Sequence, residues 1–160
     1  MSLKIIHTAD WHLGQTFFGY DRDEEHEAFL SWLIDILTLR QTDVLLIAGD
    51  VFDVANPSAA AQRRFFRFLR EANRRNPQLQ IVIIAGNHDS AARLEAPIPL
   101  LEELNTSIVG AVPRTDLCKI DFDSLLIPLY NKEGKREAIC LAVPYLRQGD
   151  YPASKEGKDT

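Results

Sequence analysis

Residues 45–53 read LLIAGDVFD, and this stretch decides the fold. An aliphatic run ends in Ala48 and Gly49, and Asp50 and Asp53 follow at once. Two other stretches are built the same way. Residues 5–12, IIHTADWH, close on Asp10 and His12, and residues 82–89, VIIAGNHD, close on Asn87, His88 and Asp89. A strand buried on both faces reads as a continuous apolar run, the signature of a parallel sheet. Parallel strands bring their C-terminal tips to one edge, and in open α/β sheets ligands bind at that edge. Carboxylate, imidazole and amide groups from three separate segments are therefore expected in one crevice.

The rest of the chain supports an α/β domain with a layered sheet and flanking helices. Strands are expected at 3–8, 43–48 and 80–85. Between the first two, residues 23–40 carry Phe29, Trp32, Leu33, Ile36 and Leu37 at helical spacing. Leu30 and Ile34 widen that stripe enough to face both the sheet and a second subunit. Asn56 followed by Pro57 signals a second helix start. It runs to about Arg75, with Phe65, Phe68, Leu69 and Ala72 on one face, and Asn76–Pro77 stop it. A shorter helix is expected around 99–104. Beyond residue 105, short strands at 106–112, 117–121, 124–129 and 138–143, with NKEGK at 131–135 as a hairpin turn, are expected to add mixed or antiparallel strands to the sheet. The domain is expected to occupy 1–147, and 148–160 reads as a polar, flexible tail.

Composition narrows the class. At 160 residues, 46% apolar and 26% charged, the chain suits one globular domain. No apolar run approaches the length that spans a bilayer, and MSLKIIHTADWH passes straight into a strand instead of forming a signal peptide. Cys118 and Cys140 make neither a disulfide framework nor a zinc motif; they read as buried free thiols in a reducing, cytoplasmic compartment. A net charge of −5 is not that of a typical nucleic-acid-binding domain. Charge distribution matters more than its sum. Arg63, Arg67, Arg70 and Arg74 share one helix face, which suits either a phosphate track or a solvated outer face. His7 is expected to be a satisfied core or near-core histidine. His26 is expected at a surface or helix contact, with its charged form favoured by Glu24, Glu25 and Glu27. Trp11, Phe17, Phe18 and Tyr20 suit either loop packing or stacking on an unpaired base.

Asp10, His12, Asp50 and Asn87 together suit manganese, iron, magnesium or zinc better than a thiolate-seeking metal. Two such ions about 3.5–4 Å apart can clamp the attacking and leaving oxygens of a phosphoryl transfer. That arrangement needs a bridging carboxylate, and Asp50 on the middle strand suits the part.

The three motifs D-x-H, G-D-x-x-D and G-N-H-D, each after a strand and in this order, resemble the calcineurin-like metallophosphoesterases. Within them, HTADWHLGQ (7–15), RDEEHEAFLSWL (22–33), AGDVFD (48–53), ANPS (55–58), GNHDS (86–90) and VPYLR (143–147) are similar to the SbcD-type DNA-repair exonuclease subunits. The resemblance covers residues 3–147. It implies that Asp10 and His12 bind one metal, Asp50 bridges two, and Asn87 binds the second, with manganese the expected ion. His88 would face the scissile phosphate without ligating metal, stabilising charge or protonating the leaving oxygen. Asp89 would orient His88, and Asp53 would support the loop. The resemblance also implies DNA as substrate, a homodimer formed through the helices, and an SbcC-type ATPase partner. The family pattern calls for further histidine ligands downstream, but the four histidines are His7, His12, His26 and His88. The chain is thus expected to carry about half of the metal site and to lack the downstream half of the fold. A phosphoesterase acting on small or cyclic phosphodiesters, or a non-catalytic truncated module, are the alternatives.

Overall fold

The computed structural model describes residues 2–101, 104–115 and 119–150. Strand β1 (Ile5–Thr8) leads through a small hairpin, β2 (Thr16–Phe17) and β3 (Tyr20–Asp21), into helix α1 (Asp23–Leu39). Then follow β4 (Val44–Ala48), α2 (Ala59–Arg75), β5 (Gln80–Ile84), the short helices α3 (Ala91–Glu95) and α4 (Ile98–Leu101), and β6 (Thr106–Val109). Strands β7 (Leu126–Tyr130) and β8 (Arg136–Leu141) complete the order. β1, β4, β5 and β6 form one parallel sheet in the order β1-β4-β5-β6. The calcineurin-like layered α/β architecture expected from the sequence is therefore present, with Asp50 following a strand flanked on both sides.

Period-two alternation divides the sheet residues between two cores. Leu45, Ile47, Ile81, Ile83 and Ile108 pack with α1 and α2. Val44, Val82 and Val109 pack with Ile127 and Leu129 of β7 on the other face. Of the late strands, β6 joins the sheet in parallel, whereas β7 and β8 do not extend it, contrary to the sequence expectation; the strand expected at 117–121 lies partly outside the described residues. β7 and β8 form their own antiparallel pair and cover the opposite face. Strand pairing partners are non-local, and the apolar pattern that marks β7 is the same in either arrangement. The NKEGK turn stands as expected: Asn131 Oδ1 accepts the N–H groups of Glu133 and Lys135, both at 3.0 Å.

The helices differ from their predicted faces in instructive ways. In α1 the buried residues are His26, Leu30, Leu33, Ile34 and Leu37. Leu30 and Ile34 are therefore core residues and cannot serve a second chain, while Trp32 is 55% exposed. Helix α2 begins two residues later than Pro57 suggests, because Ser58 is the cap and its Oγ accepts the Ala61 N–H at 3.1 Å. Three of its six arginines pair with α1: Arg64 with Asp23 and Glu27, Arg67 with Glu27, and Arg75 with Asp35. Arg74 pairs with Glu71 on its own helix. Two of the four stripe residues, Arg67 and Arg74, are thereby ion-paired, which weakens the case for a phosphate track. His7 is exposed, not a core histidine, because β1 lies at the sheet edge. Cys118 and residues 151–160 of the expected tail lie outside the described residues; Gln148–Asp150 form a short 3-10 turn. Cys140 is a half-buried free thiol whose pKa burial pushes up. Among the described residues, no helix is long and apolar enough to cross a membrane.

His26 overturns the expectation drawn from its glutamate neighbours. The ring is buried, and its pKa is lowered, first by desolvation and then by the charges of Arg22 and Arg64, which outweigh Asp23 and Glu25. A depressed histidine pKa means that the unfolded chain takes up a proton more readily than the folded one. The contribution of this group to stability is full above the ordinary value of 6.5 and is lost as pH falls through that value towards the folded pKa. Urea midpoints are therefore expected to fall between pH 8 and pH 5.5, and to fall less in His26→Leu. An identical drop in the variant would exclude His26 as the cause.

Candidate metal centre at the sheet edge

The β1–β4 ladder continues past both strands into the loops. Asp10 N–H donates to Gly49 O at 3.1 Å, His12 N–H to Asp50 O at 2.9 Å, and Leu13 N–H to Val51 O at 3.0 Å. Three residues in this continuation adopt left-handed backbone: Asp10 at φ 55°, His12 at φ 46° and Asp50 at φ 47°. Such conformations are uncommon for residues other than glycine, and they persist where surrounding structure over-determines them, often at functional sites. All three are among the four residues expected to ligate metal, Asn87 being the fourth.

Asp50 reaches its position only because Gly86 has no side chain. A Cβ on Gly86 would overlap the Asp50 backbone nitrogen and carboxylate oxygen and would lie 2.6 Å from Asp50 Cγ. Relief requires backbone movement, so Gly86→Ala is expected to cost about 3 kcal/mol, the upper range for overpacking. For a chain of this size that lowers the melting temperature by about 6–12 °C. Thermal unfolding followed by circular dichroism measures it; a shift of under about 2 °C would show that the loops adapt freely.

The placed groups converge as follows. His12 Nε2 lies 3.9 Å from both Asp10 Oδ1 and Asp50 Oδ2. Asp50 is buried, whereas the Asp10 side chain is 71% exposed. Asp50 Oδ1 accepts the His88 N–H at 2.9 Å, tying the G-N-H-D turn to the middle strand. The His12 and His88 rings meet edge to face, with centroids 4.9 Å apart. Asn87 and His88 are exposed on that turn. His88 Nδ1 lies 2.7 Å from the Asp53 carbonyl oxygen. A carbonyl only accepts, so Nδ1 carries the proton and Nε2 is left for another partner. The His88 pKa is raised, first by that carbonyl and then by the charges of Asp50, Asp53 and Asp89. An imidazole whose charged form is favoured suits charge stabilisation or proton donation.

Asp89 has a different task from the one expected. It is fully buried, and its oxygens accept three backbone N–H groups: Gly86 at 2.9 Å, Val51 at 3.1 Å and Phe52 at 3.0 Å. The carboxylate knits two ligand-bearing loops together, and the Asp53 carbonyl is what meets His88. Sequence reasoning used the segment after β8 only for its resemblance and assigned it no contact. Tyr145 N–H donates to Ala85 O at 2.8 Å, and Arg147 Nη2 donates to Asp89 O at 2.9 Å, so this segment docks against the G-N-H-D turn. No local signal in VPYLR announces that contact. The aromatic residues near His12 divide. Trp11 is buried edge to face against Phe29, Phe65 and Phe68, whereas Phe17, Phe18 and Tyr20 are 63%, 87% and 78% exposed on the β2–β3 hairpin.

The donor set fits a hard or borderline divalent cation. One ligand atom from each of Asp10, His12 and Asp50 lies within 4.8 Å of the others. Two carboxylates and an imidazole nitrogen converging in this way favour manganese, iron, magnesium or zinc over a thiolate-seeking metal. No cysteine joins the cluster among the described residues.

An apolar parallel sheet whose strand tips present D-x-H, G-D-x-x-D and G-N-H-D at one edge defines a metallophosphoesterase. Residues 3–143 match the calcineurin-like phosphoesterases, and the chain belongs to that family. It is similar to the SbcD subunit of the SbcCD nuclease from Rhodobacter capsulatus, at 48% identity over 157 residues, which are 98% of this chain and 38% of that protein. The corresponding SbcCD nuclease subunit from Escherichia coli is 34% identical over 155 residues, 97% of this chain and 36% of its own length. That from Bacillus subtilis is 40% identical over 122 residues, 76% of this chain and 31% of its own. The chain spans about a third of the length of these curated relatives.

Proposed function

We propose that this chain carries the first ligand group of a two-metal DNA nuclease centre of the SbcD type. The observation that supports this most is the convergence of Asp10, His12 and Asp50 at the sheet edge, with His88 held beside them by Asp50 and Asp53. Asp10 and His12 would hold one cation, Asp50 would bridge, and Asn87 would serve the second, with manganese the expected ion. When bound, such ions polarise phosphoryl oxygens and make water a competent nucleophile near neutral pH. The residues of the chain do the rest. His88 offers Nε2 to the phosphate or leaving oxygen, and the Asp53 carbonyl keeps its ring oriented. Asp89 holds the two loops at a fixed separation. Arg147 braces the turn through the Asp89 carbonyl.

The exposed Phe17, Phe18 and Tyr20, a few residues after His12, favour a nucleic-acid substrate over small phosphodiesters, because aromatic faces stack on unpaired bases without sequence preference. The similarity to the SbcD chains of SbcCD nucleases extends the reading to a role in DNA repair or recombination in the cytoplasm, a homodimer, and an SbcC-type ATPase partner. A dimer formed through the helical layer would use outward residues such as Trp32, since Leu30 and Ile34 are buried.

Manganese-dependent hydrolysis of end-labelled linear DNA, beside a small bis-phosphodiester, tests the proposal. In a protein of the relatives' full length DNA cleavage is expected, falling by about 10²–10⁴-fold in His88→Ala if the imidazole acts as a general acid, whereas residues 1–160 alone, with about half of the metal site, are expected to cleave little. Hydrolysis of the small ester alone would favour the non-nuclease phosphoesterase. DNA binding without cleavage, with the fold intact, would favour a non-catalytic module.

A further inference from the structure

Resting on the reading of His12 as a metal ligand, we propose that Asp53, held by a relay from Arg22 through Gln15, is the positioning residue that fixes the ring tautomer of His12. The Asp53 carboxylate lies within 4.8 Å of one ring nitrogen of His12 and one of His88, but His88 Nδ1 is already taken by the Asp53 backbone carbonyl. Asp53 Oδ1 lies 3.3 Å from His12 Nδ1. That nitrogen is buried and has no well-aligned hydrogen-bond partner, so the carboxylate is the group available to it.

The polarity of the relay follows from what each group can do. Arg22 has only donors, and its Nη1 lies 3.1 Å from Gln15 Oε1. The amide is thereby oriented, and its Nε2 donates to Asp53 Oδ1 at 3.4 Å. An ionised carboxylate only accepts. A lone pair on His12 Nδ1 would face that charge unfavourably, while a proton there would be stabilised. The proton therefore belongs on Nδ1, and the lone pair belongs on Nε2, which faces Asp10 and Asp50. Histidines that ligate metals commonly donate their other ring N–H to a carboxylate, which sets the tautomer and raises ligand basicity.

A simple bracing role does not account for the carboxylate. Backbone bonds already fix the loop, because Asp53 N–H donates to Leu13 O and Leu13 bridges Phe52. The relay also gives Gln15 and Arg22 a function. Their backbones are joined, Arg22 N–H to Gln15 O at 3.2 Å, so the β2–β3 hairpin is clamped between them.

The test is the tautomer of His12 in the metal-free chain, read at pH 8 from two-bond ¹H–¹⁵N imidazole correlations, with His12→Ala identifying the signals. The wild type is expected to show the Nδ1–H form. Asp53→Ala is expected to populate Nε2–H, and Gln15→Ala to do so in part, while Asp53→Asn, whose amide oxygen still accepts, keeps Nδ1–H. Manganese chloride titrated alone is expected to bind about 10–100-fold more weakly to Asp53→Ala, with recovery in Asp53→Asn. An unchanged tautomer in Asp53→Ala overturns the proposal; if affinity falls all the same, Asp53 is a ligand and not a positioning group. Unchanged manganese affinity in His12→Ala would overturn the metal-centre reading itself and leave the tautomer result to stand separately.

Discussion

Asp89→Ala is expected to remove on the order of 4–6 kcal/mol of stability, from three backbone hydrogen bonds to an ionised carboxylate at about 1.5–3 kcal/mol each, less what relaxation recovers. The carboxylate is fully buried and serves Gly86, Val51 and Phe52 together, so its loss leaves three donors without an acceptor in a dry site. That sum approaches the whole stability of an ordinary domain. The expected fall in melting temperature exceeds about 8 °C. Asp89→Asn keeps one acceptor oxygen and should fall between the two. Chemical denaturation of the three proteins measures this, and a loss of under about 1 kcal/mol in the alanine variant would mean that water replaces the carboxylate at little cost.

Asp50→Asn is expected to be nearly silent in stability and severe in metal binding. The amide oxygen can still accept the His88 N–H, now satisfied by Asp50 Oδ1 at 2.9 Å, so the turn stays tied to the middle strand. What disappears is one negative charge beside the cation. At an effective dielectric constant of about 20, a unit charge pair at about 4 Å is worth about 4 kcal/mol, which corresponds to about 10³-fold in affinity for a single charge and more for a divalent ion. Calorimetric titration with manganese should show that loss at an unchanged unfolding midpoint. A weakening of less than about tenfold would remove Asp50 from the ligand set.

The parallel sheet and its ligand edge were legible because two independent signals coincide there. Uninterrupted aliphatic runs mark strands buried on both faces, and each run ends in groups that seldom meet except around a ligand. The residues' detailed tasks were not legible in the same way. G-N-H-D reads the same whether Asp89 faces His88 or the backbone of the neighbouring loop, and the choice is made by residues 51 and 52, far away in sequence. His26 shows the same limit. Its adjacent glutamates are acidic, but burial first, then Arg22 one turn before it and Arg64 from the facing helix, lower its pKa. For the aromatic residues near the first motif, position relative to the helix layer separates buried Trp11 from exposed Phe18, and periodicity in a loop carries no such information. The placement of β7 and β8 in a separate layer depends on pairing across the fold, which alternation alone leaves open.

Anomalous diffraction at the manganese absorption edge, from crystals of the chain grown with manganese chloride, tests the metal centre most directly. The account predicts a peak bounded by Asp10, His12 and Asp50, within about 2.0–2.3 Å of His12 Nε2 and an Asp50 carboxylate oxygen. Full-occupancy crystals with no peak at that edge, and these three side chains making other contacts, would contradict it.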